Sequence, residues 1–153
     1  MNTYYELIKH IKTVFEEDVN VSNVVTGDWE EWKKDVFVLV HLDVVSSPYT
    51  STNTAFARFD VLVSVMDIRD VNKEEAKDRF WHNDNRHDNW NTTYAILKRA
   101  KNKLIKDHLE TGIRWVSATD AIKQSWVYGN GLDGWEQTWT IDVPDNLSTV
   151  CSD

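Results

Sequence analysis

The sequence predicts an α+β domain, in which a largely antiparallel sheet with one long hairpin is backed by an N-terminal helix and a longer central helix. Two stretches repeat apolar residues at helical spacing, and several runs of β-branched and aromatic residues are typical of strands. Clusters of turn-forming residues separate these stretches. The predicted order is α-β-β-β-α-α-β-β-β, with one domain over residues 1–144 and a polar tail over residues 145–153.

The first element is an amphipathic helix. Thr3 and Glu6 form a T-x-x-E capping box, in which each side chain satisfies a backbone N–H at the start of a helix. A β-branched run over Val19–Val25 follows the helix and predicts a strand, and Gly27-Asp28 predicts a turn. The apolar face of the helix consists of Tyr4, Leu7, Ile8, Ile11, Val14 and Phe15.

Two long strands come next, over Val36–Val45 and Ala55–Ile68, and a nine-residue polar loop over Ser46–Thr54 joins them. We expect the strands to pair as a hairpin, in a register that brings opposite charges and apolar residues together. In that register Asp43 lies opposite Arg58, His41 opposite Asp60 and Leu39 opposite Leu62.

The two faces of this hairpin differ. The face that carries Val38, Val40, Val61 and Val63 is wholly apolar, so helices must cover it. The other face is apolar at its base and charged towards the loop. Either the rest of the chain or another subunit must cover that base. The base consists of Phe37, Leu39, Leu62 and Met66, and the charged part of His41, Asp43, Arg58 and Asp60.

The second half of the chain returns to helices and then strands. The charged segment over 70–88 predicts a short helix from Lys73 to about Trp81, and a longer helix follows from about Asn89 to His108. Three strands are predicted after Gly112, which is a plausible helix stop. They cover Ile113–Thr119, Ile122–Tyr128 and Trp135–Val143.

Composition excludes several classes of protein. The chain has 153 residues and a formal net charge of −8, and a surface with that balance repels phosphate backbones. No apolar run approaches the roughly 20 residues that span a bilayer, so we expect no membrane helix and no membrane partner. The start of the sequence lacks the apolar block of a signal peptide. The single cysteine, Cys151, excludes an internal disulfide.

The motifs give little support for catalysis. Neither a nucleophile elbow nor a phosphate-binding glycine loop is present, so we expect no enzyme, no catalytic residue and no cofactor. The group His41, Asp43 and Asp60 is interpreted as a cross-strand charge cluster rather than a catalytic base with its carboxylate. The ligand-rich stretch 82–88 holds His82, Asp84, His87 and Asp88, which we interpret as a polar connection between helices and not as a metal site.

The eight tryptophans indicate a contact surface or a large core. Exposed aromatic side chains on a sheet can stack on sugar rings, so a Trp-rich carbohydrate-binding or other ligand-binding module is the alternative function. Two features count against it, because aromatic residues within strands mostly pack in cores and the long helix is unusual for sugar-binding modules. The residues considered for this role are Trp29, Trp32, Trp115, Trp126, Trp135 and Trp139.

The order of elements resembles that of tailed-bacteriophage tail terminator and tail completion proteins, the neck proteins of the head–tail junction. The resemblance covers about Thr3 to Val143 and has three parts. These are the opening helix, the long hairpin with its polar tip, and the helix that ends in YAILKRAKNKLIKD before closing strands around GNGLDGWEQTWTIDV. The charged segment over 70–88 and the tryptophan density depart from the family's pattern.

The resemblance implies a non-enzymatic structural protein of the virion that forms a hexameric or larger ring. Such a ring is assembled in the bacterial host cytoplasm, contacts neighbouring connector and tail proteins, and lets DNA pass without specific binding. The loop residues Pro48, Tyr49 and Thr50 are candidates for contact between rings. The candidates for the subunit interface are Leu39, His41, Asp43, Arg58, Asp60, Leu62 and Met66.

Overall fold

The fold was analysed in a computed structural model of the chain. The structure describes residues 3–27, 37–48, 55–70, 74–107, 111–127 and 131–144. Two helices and six strands are present in these ranges: α1 (Thr3–Glu16), β1 (Asn23–Val25), β2 (Leu39–Ser46), β3 (Phe56–Ile68), α2 (Arg86–Lys106), β4 (Arg114–Ala118), β5 (Ile122–Val127) and β6 (Leu132–Pro144). The α+β class and the largely antiparallel sheet with its long hairpin are therefore confirmed.

The strands form one mixed sheet in the order β1-β2-β3-β6-β4, and β5 pairs with β6 beside β4. Among the described strand pairs, β1–β2 is parallel and the other four are antiparallel. The two longest strands, β3 and β6, pair without interruption from Phe56↔Pro144 to Ile68↔Leu132. This continuous pairing at the centre of the sheet fixes which side chains share a face.

Both helices lie on one face of the sheet. Four residues of α1, including Leu7 and Phe15, are buried, and α2 contributes Ile96 and Leu97 to the same core. The rings of Phe15 and Trp139 stack at a centroid distance of 5.9 Å, which joins α1 to the middle of β6. Burial of this apolar area is the main driving force for packing the helices on the sheet. Of the helices that the structure describes, none is both long and apolar enough to cross a membrane.

The predicted hairpin register is wrong by four residues. Leu39 pairs with Met66 and Asp43 pairs with Leu62, and the register shifts between Val44 and Ser46. A shift of four residues preserves the alternation of side chains, so the predicted faces are correct although the partners are not. The charge pairing that favoured the predicted register is satisfied elsewhere, because Arg58 bonds to Asp142 on β6.

Two further elements differ from prediction. The described part of the predicted short helix, residues 74–81, forms bends and turns. There the Asp78 carboxylate accepts a hydrogen bond from the backbone N–H of Phe80, an Asx-type contact that competes with helix formation. The strand predicted over Val19–Val25 is shorter, because the chain turns at Asp18 before β1 begins at Asn23.

Candidate functional site

The face of the sheet opposite the helices carries polar side chains from three neighbouring strands. No described helix lies against it. We define its accessible part as the open sheet face, which consists of Asp43, Arg58, Asp60, Leu62, Glu136, Thr138, Thr140 and Asp142. All these side chains lie on β2, β3 and β6, so the continuous β3–β6 pairing holds them in fixed positions relative to one another.

One end of this face is closed within the chain itself. Leu39 and Met66 are fully buried, and so is most of His41. The His41 Nε2 atom lies 3.0 Å from the Gly27 carbonyl oxygen, and burial lowers the pKa of the ring below its usual range. For Leu39 and Met66 of the apolar base, the rest of the chain therefore provides the cover, and a second subunit is not needed. These three interface candidates are not available to a second subunit in the folded chain.

The other candidates remain accessible and form cross-strand contacts. The Arg58 guanidinium donates to both carboxylate oxygens of Asp142, at 2.7 and 3.0 Å. These hydrogen bonds raise the pKa of Arg58 above its usual value. The Asp60 carboxylate accepts hydrogen bonds from the hydroxyls of Thr140, at 2.6 Å, and Ser46, at 2.8 Å. The hydroxyl donors thus stabilise an acidic group without neutralising its charge.

Leu62 lies at the centre of the open sheet face. Asp43 on β2 and Thr138 on β6 are its direct cross-strand partners. Two residue pairs along, on the same face, the Glu136 carboxylate accepts a hydrogen bond from the Ser64 hydroxyl at 3.2 Å. The centre is therefore a half-buried apolar side chain among carboxylates and hydroxyls, the pattern of a small interface core with a polar rim.

The loop candidates fall at the edge of the described residues. Pro48 is half-buried just after β2, and the neighbouring Ser47 hydroxyl donates to the Arg58 carbonyl oxygen at 2.7 Å. This bond ties the base of the loop to β3. Tyr49 and Thr50 lie outside the described residues.

A second surface is formed by aromatic side chains at the start of α2. We call Phe80, Trp81, His87 and Trp90 the aromatic row. Successive ring centroids lie 4.8, 5.3 and 5.3 Å apart, with edge-to-face geometry throughout. Phe80 is 71% exposed and Trp81 is 60% exposed, whereas Trp90 at the other end of the row is partly buried.

A buried ion pair anchors the inner end of the aromatic row. The Arg69 guanidinium donates to both oxygens of the fully buried Asp133 carboxylate, at 2.9 and 2.7 Å. The same guanidinium lies over the rings of Trp90 and Trp126, at 5.9 and 5.2 Å from their centroids. The backbone of Trp126 has a φ of 52°, and a Cβ on Gly131 would meet its ring at 2.7 Å. Glycine at 131 therefore makes room for the stacked indole.

The ligand-rich stretch 82–88 is used for internal contacts. The Asp84 carboxylate is held by Arg86, whose hydrogen bonds lower the pKa of Asp84 to about 2. The rings of His82 and His87 stack at 6.0 Å. Among the described residues no group of three or more His, Cys, Asp or Glu side chains could hold a metal ion.

The tryptophans considered for sugar binding are mostly core residues. Trp139 is fully buried, and Trp115 and Trp135 pack against the core. Only Trp126 of the described ones is half-exposed. Trp29 and Trp32 lie outside the described residues. Sequence reasoning missed Phe80 and Trp81, although two adjacent aromatic residues in a charged segment without apolar partners at helical spacing are a usable signal of exposure.

No protein-family model matches this chain, and the search of curated proteins found no similar sequence.

Proposed function

We propose that this chain is a structural subunit of the head–tail junction of a tailed bacteriophage, a tail terminator or tail completion protein. In this proposal the chain assembles into a hexameric or larger ring in the host cytoplasm and remains in the virion. DNA passes through the ring without specific binding, and neighbouring connector and tail proteins lie above and below.

The single observation that carries the proposal is the open sheet face. A two-layer domain covers one face of its sheet with helices, and a free face with an apolar centre is suited to a partner. The accessible interface candidates Asp43, Arg58, Asp60 and Leu62 all lie on this face. The element order, in which a helix precedes three strands and a second helix precedes three more, agrees with what the resemblance implies.

The charge of the chain supports the DNA-channel part of the proposal. A net charge of −8 per subunit repels a phosphate backbone, which favours passage over adhesion. In the same scheme the loop predicted over Ser46–Thr54 contacts a neighbouring ring, because its nine residues are too many for a tight turn.

Size-exclusion chromatography with light scattering, followed by negative-stain imaging, tests the proposal. The wild-type chain should form rings at high concentration. Leu62→Asp and Asp43→Arg should leave a folded monomer, because each places a charge where the interface is apolar or reverses one at its rim. Phe80→Asp is the matched control, since it puts the same new charge on an exposed residue of the aromatic row. A wild-type chain that is monomeric at every concentration would contradict the proposal.

The aromatic row supports the second candidate function, a Trp-rich carbohydrate-binding or other ligand-binding module. The exposed ring of Trp81 is large enough to stack on a sugar, and His87 beside it supplies a polar group. In an oligosaccharide screen followed by tryptophan fluorescence, binding should disappear in Trp81→Ala and persist in Leu62→Asp. Identical titrations of Trp81→Ala and the wild type would exclude this site.

A further inference from the structure

The two sides of the domain carry charges of opposite sign, and this difference bears on how copies would meet. On one side the open sheet face places Asp43, Asp60 and Glu136 around Leu62. Arg58 is already paired with Asp142, and Arg114, the partner of Asp142 on β4, lies over the ring of Phe56. The face therefore presents a surplus of negative charge around its apolar centre.

The helix layer carries the opposite charge. On α2 the residues Tyr94, Lys98, Lys101 and Ile105 follow a spacing of four, three and four, which places them along one stripe of the helix. We call this stripe the basic strip. Tyr94 is 44% exposed and Ile105 is 41% exposed, so apolar side chains flank the two lysines.

The lysines of the basic strip differ from their neighbours in what they contact. Arg99 and Lys103 are neutralised by Asp18 and Glu17 at the end of α1. In contrast, neither Lys98 nor Lys101 forms an ion pair with another described residue. The ion pairs to the end of α1 thus use one side of α2, and within the described part of the chain the lysines of the basic strip have no acidic partner.

From this complementarity we infer that the open sheet face of one copy docks on the basic strip of the next copy. The inference rests on the proposed ring function. The alternative contact, open sheet face on open sheet face, would bring the carboxylates of two copies together, and like charges across an interface are unfavourable. The strip-to-sheet contact instead sets Lys98 and Lys101 against Asp43 and Glu136, and Tyr94 and Ile105 against Leu62.

The dimensions of the two surfaces are compatible. The basic strip, from Tyr94 to Ile105, extends about 17 Å along α2. On β3 the open sheet face extends roughly 13 Å, from Arg58 to Leu62. Because the two surfaces are different, the contact is heterologous, and each added copy leaves one of each surface free. A heterologous contact closes into a ring when its rotation divides a full turn. This is the symmetry that the proposed function requires.

Charge reversal on each surface provides the test. The strip variant carries Lys98→Glu and Lys101→Glu. The sheet variant carries Asp43→Lys and Thr138→Lys, which reverse one charge and add another at the two cross-strand partners of Leu62. Each variant alone should remain a folded monomer, with self-association weakened roughly tenfold or more by like charges. When mixed, the two variants should assemble in a 1:1 ratio, because each reversed surface then faces its complement. Light scattering and native mass spectrometry of the mixture measure this ratio.

The control is Lys9→Glu with Lys77→Glu, which reverses two exposed lysines outside the basic strip and should assemble like the wild type. If the wild type and the strip variant both form rings, the inference is wrong while the ring proposal stands. If the wild type forms no oligomer, the ring proposal itself fails. A strip variant that assembles normally but loses retention of duplex DNA would also overturn the inference, since the strip would then bind nucleic acid.

Discussion

The Asp133–Arg69 ion pair connects the β5–β6 end of the sheet to the residue that follows β3. Asp133 is fully buried, and its carboxylate also accepts a hydrogen bond from the backbone N–H of Trp126 at 3.1 Å. Asn89 on α2 donates to the same carboxylate at 3.4 Å. One carboxylate therefore joins the end of β3, the start of α2 and the hairpin between β5 and β6.

Asp133→Asn should lower the free energy of unfolding by about 3 kcal/mol, because it leaves the Arg69 guanidinium without its charged partner in a buried position. Urea denaturation measures this difference. Asp120→Asn, at an exposed acid in the turn before β5, should change stability by less than about 0.5 kcal/mol. Equal losses in the two variants would show that the buried pair has no special role.

His41 should make stability depend on pH. Burial lowers its pKa in the folded chain, so the unfolded chain binds a proton at a higher pH than the folded chain does. The contribution of the neutral ring is fully present above the unfolded pKa of about 6.5 and is lost as pH falls through the folded value. We expect the free energy of unfolding to decrease between pH 7 and pH 5.

His41→Gln is the informative variant for this prediction. Its amide can still donate to the Gly27 carbonyl but does not titrate, so its stability should vary less over the same pH range. Chemical denaturation at several pH values gives both curves. Parallel curves for the wild type and the variant would assign the pH dependence to other groups.

Gly134 sets the spacing of the two central strands. It lies opposite Met66, and a Cβ at this position would come 1.9 Å from the carbonyl oxygen of Val65 and 2.8 Å from the Met66 sulfur. Gly134→Ala should therefore destabilise the fold by about 3 kcal/mol, since β3 and β6 must separate to admit the methyl group. Thermal unfolding measures the loss, and Thr138→Ala on the same strand is the control. A wild-type melting temperature for Gly134→Ala would contradict this reading.

Short-range patterns in the sequence determine which side chains of a strand share a face, but not which residues pair across strands. Period-two alternation identified the apolar face that carries Val40 and Val63. The same alternation is satisfied by any register shifted by an even number of residues, so it could not fix the partners of β2. The register of β2 on β3 depends on β6, where Asp142 pairs with Arg58, and on the register shift between Val44 and Ser46. Neither is visible in the hairpin sequence alone.

Helices were predicted well where an apolar stripe is continuous, as in α1 and α2. The segment before α2 has no such stripe, and the short helix predicted there from Lys73 to about Trp81 is wrong for the described residues 74–81. There the side chains of Asp78 and Asn83 bond to nearby backbone groups and hold turns instead. Local polar contacts of this kind outweigh helix propensity in short segments.

For the whole molecule, the sequence predicted a layer of helices on a sheet, but not how much of each surface stays accessible. The burial of Leu39 and Met66 depends on contacts between distant parts of the chain, so their apparent exposure on an isolated hairpin was misleading. The aromatic row likewise depends on long-range contacts, because Arg69 and Lys123 of β5 both lie over the ring of Trp90. Of the predicted interface, the residues that remain accessible on the sheet are Asp43, Arg58, Asp60 and Leu62.

The salt dependence of association should distinguish the ionic from the apolar contribution to the contact between copies. If acidic and basic surfaces meet at each subunit contact, raising NaCl from 0.15 to 1 M should weaken association several-fold, because the Debye length falls from about 8 to about 3 Å. Analytical ultracentrifugation at a series of salt concentrations measures this dependence. Leu62→Ala should weaken association at every salt concentration without changing the slope, since it removes apolar area and no charge. Association that strengthens with salt would mean that apolar contact dominates, and the arrangement of opposite charges between copies would then be wrong.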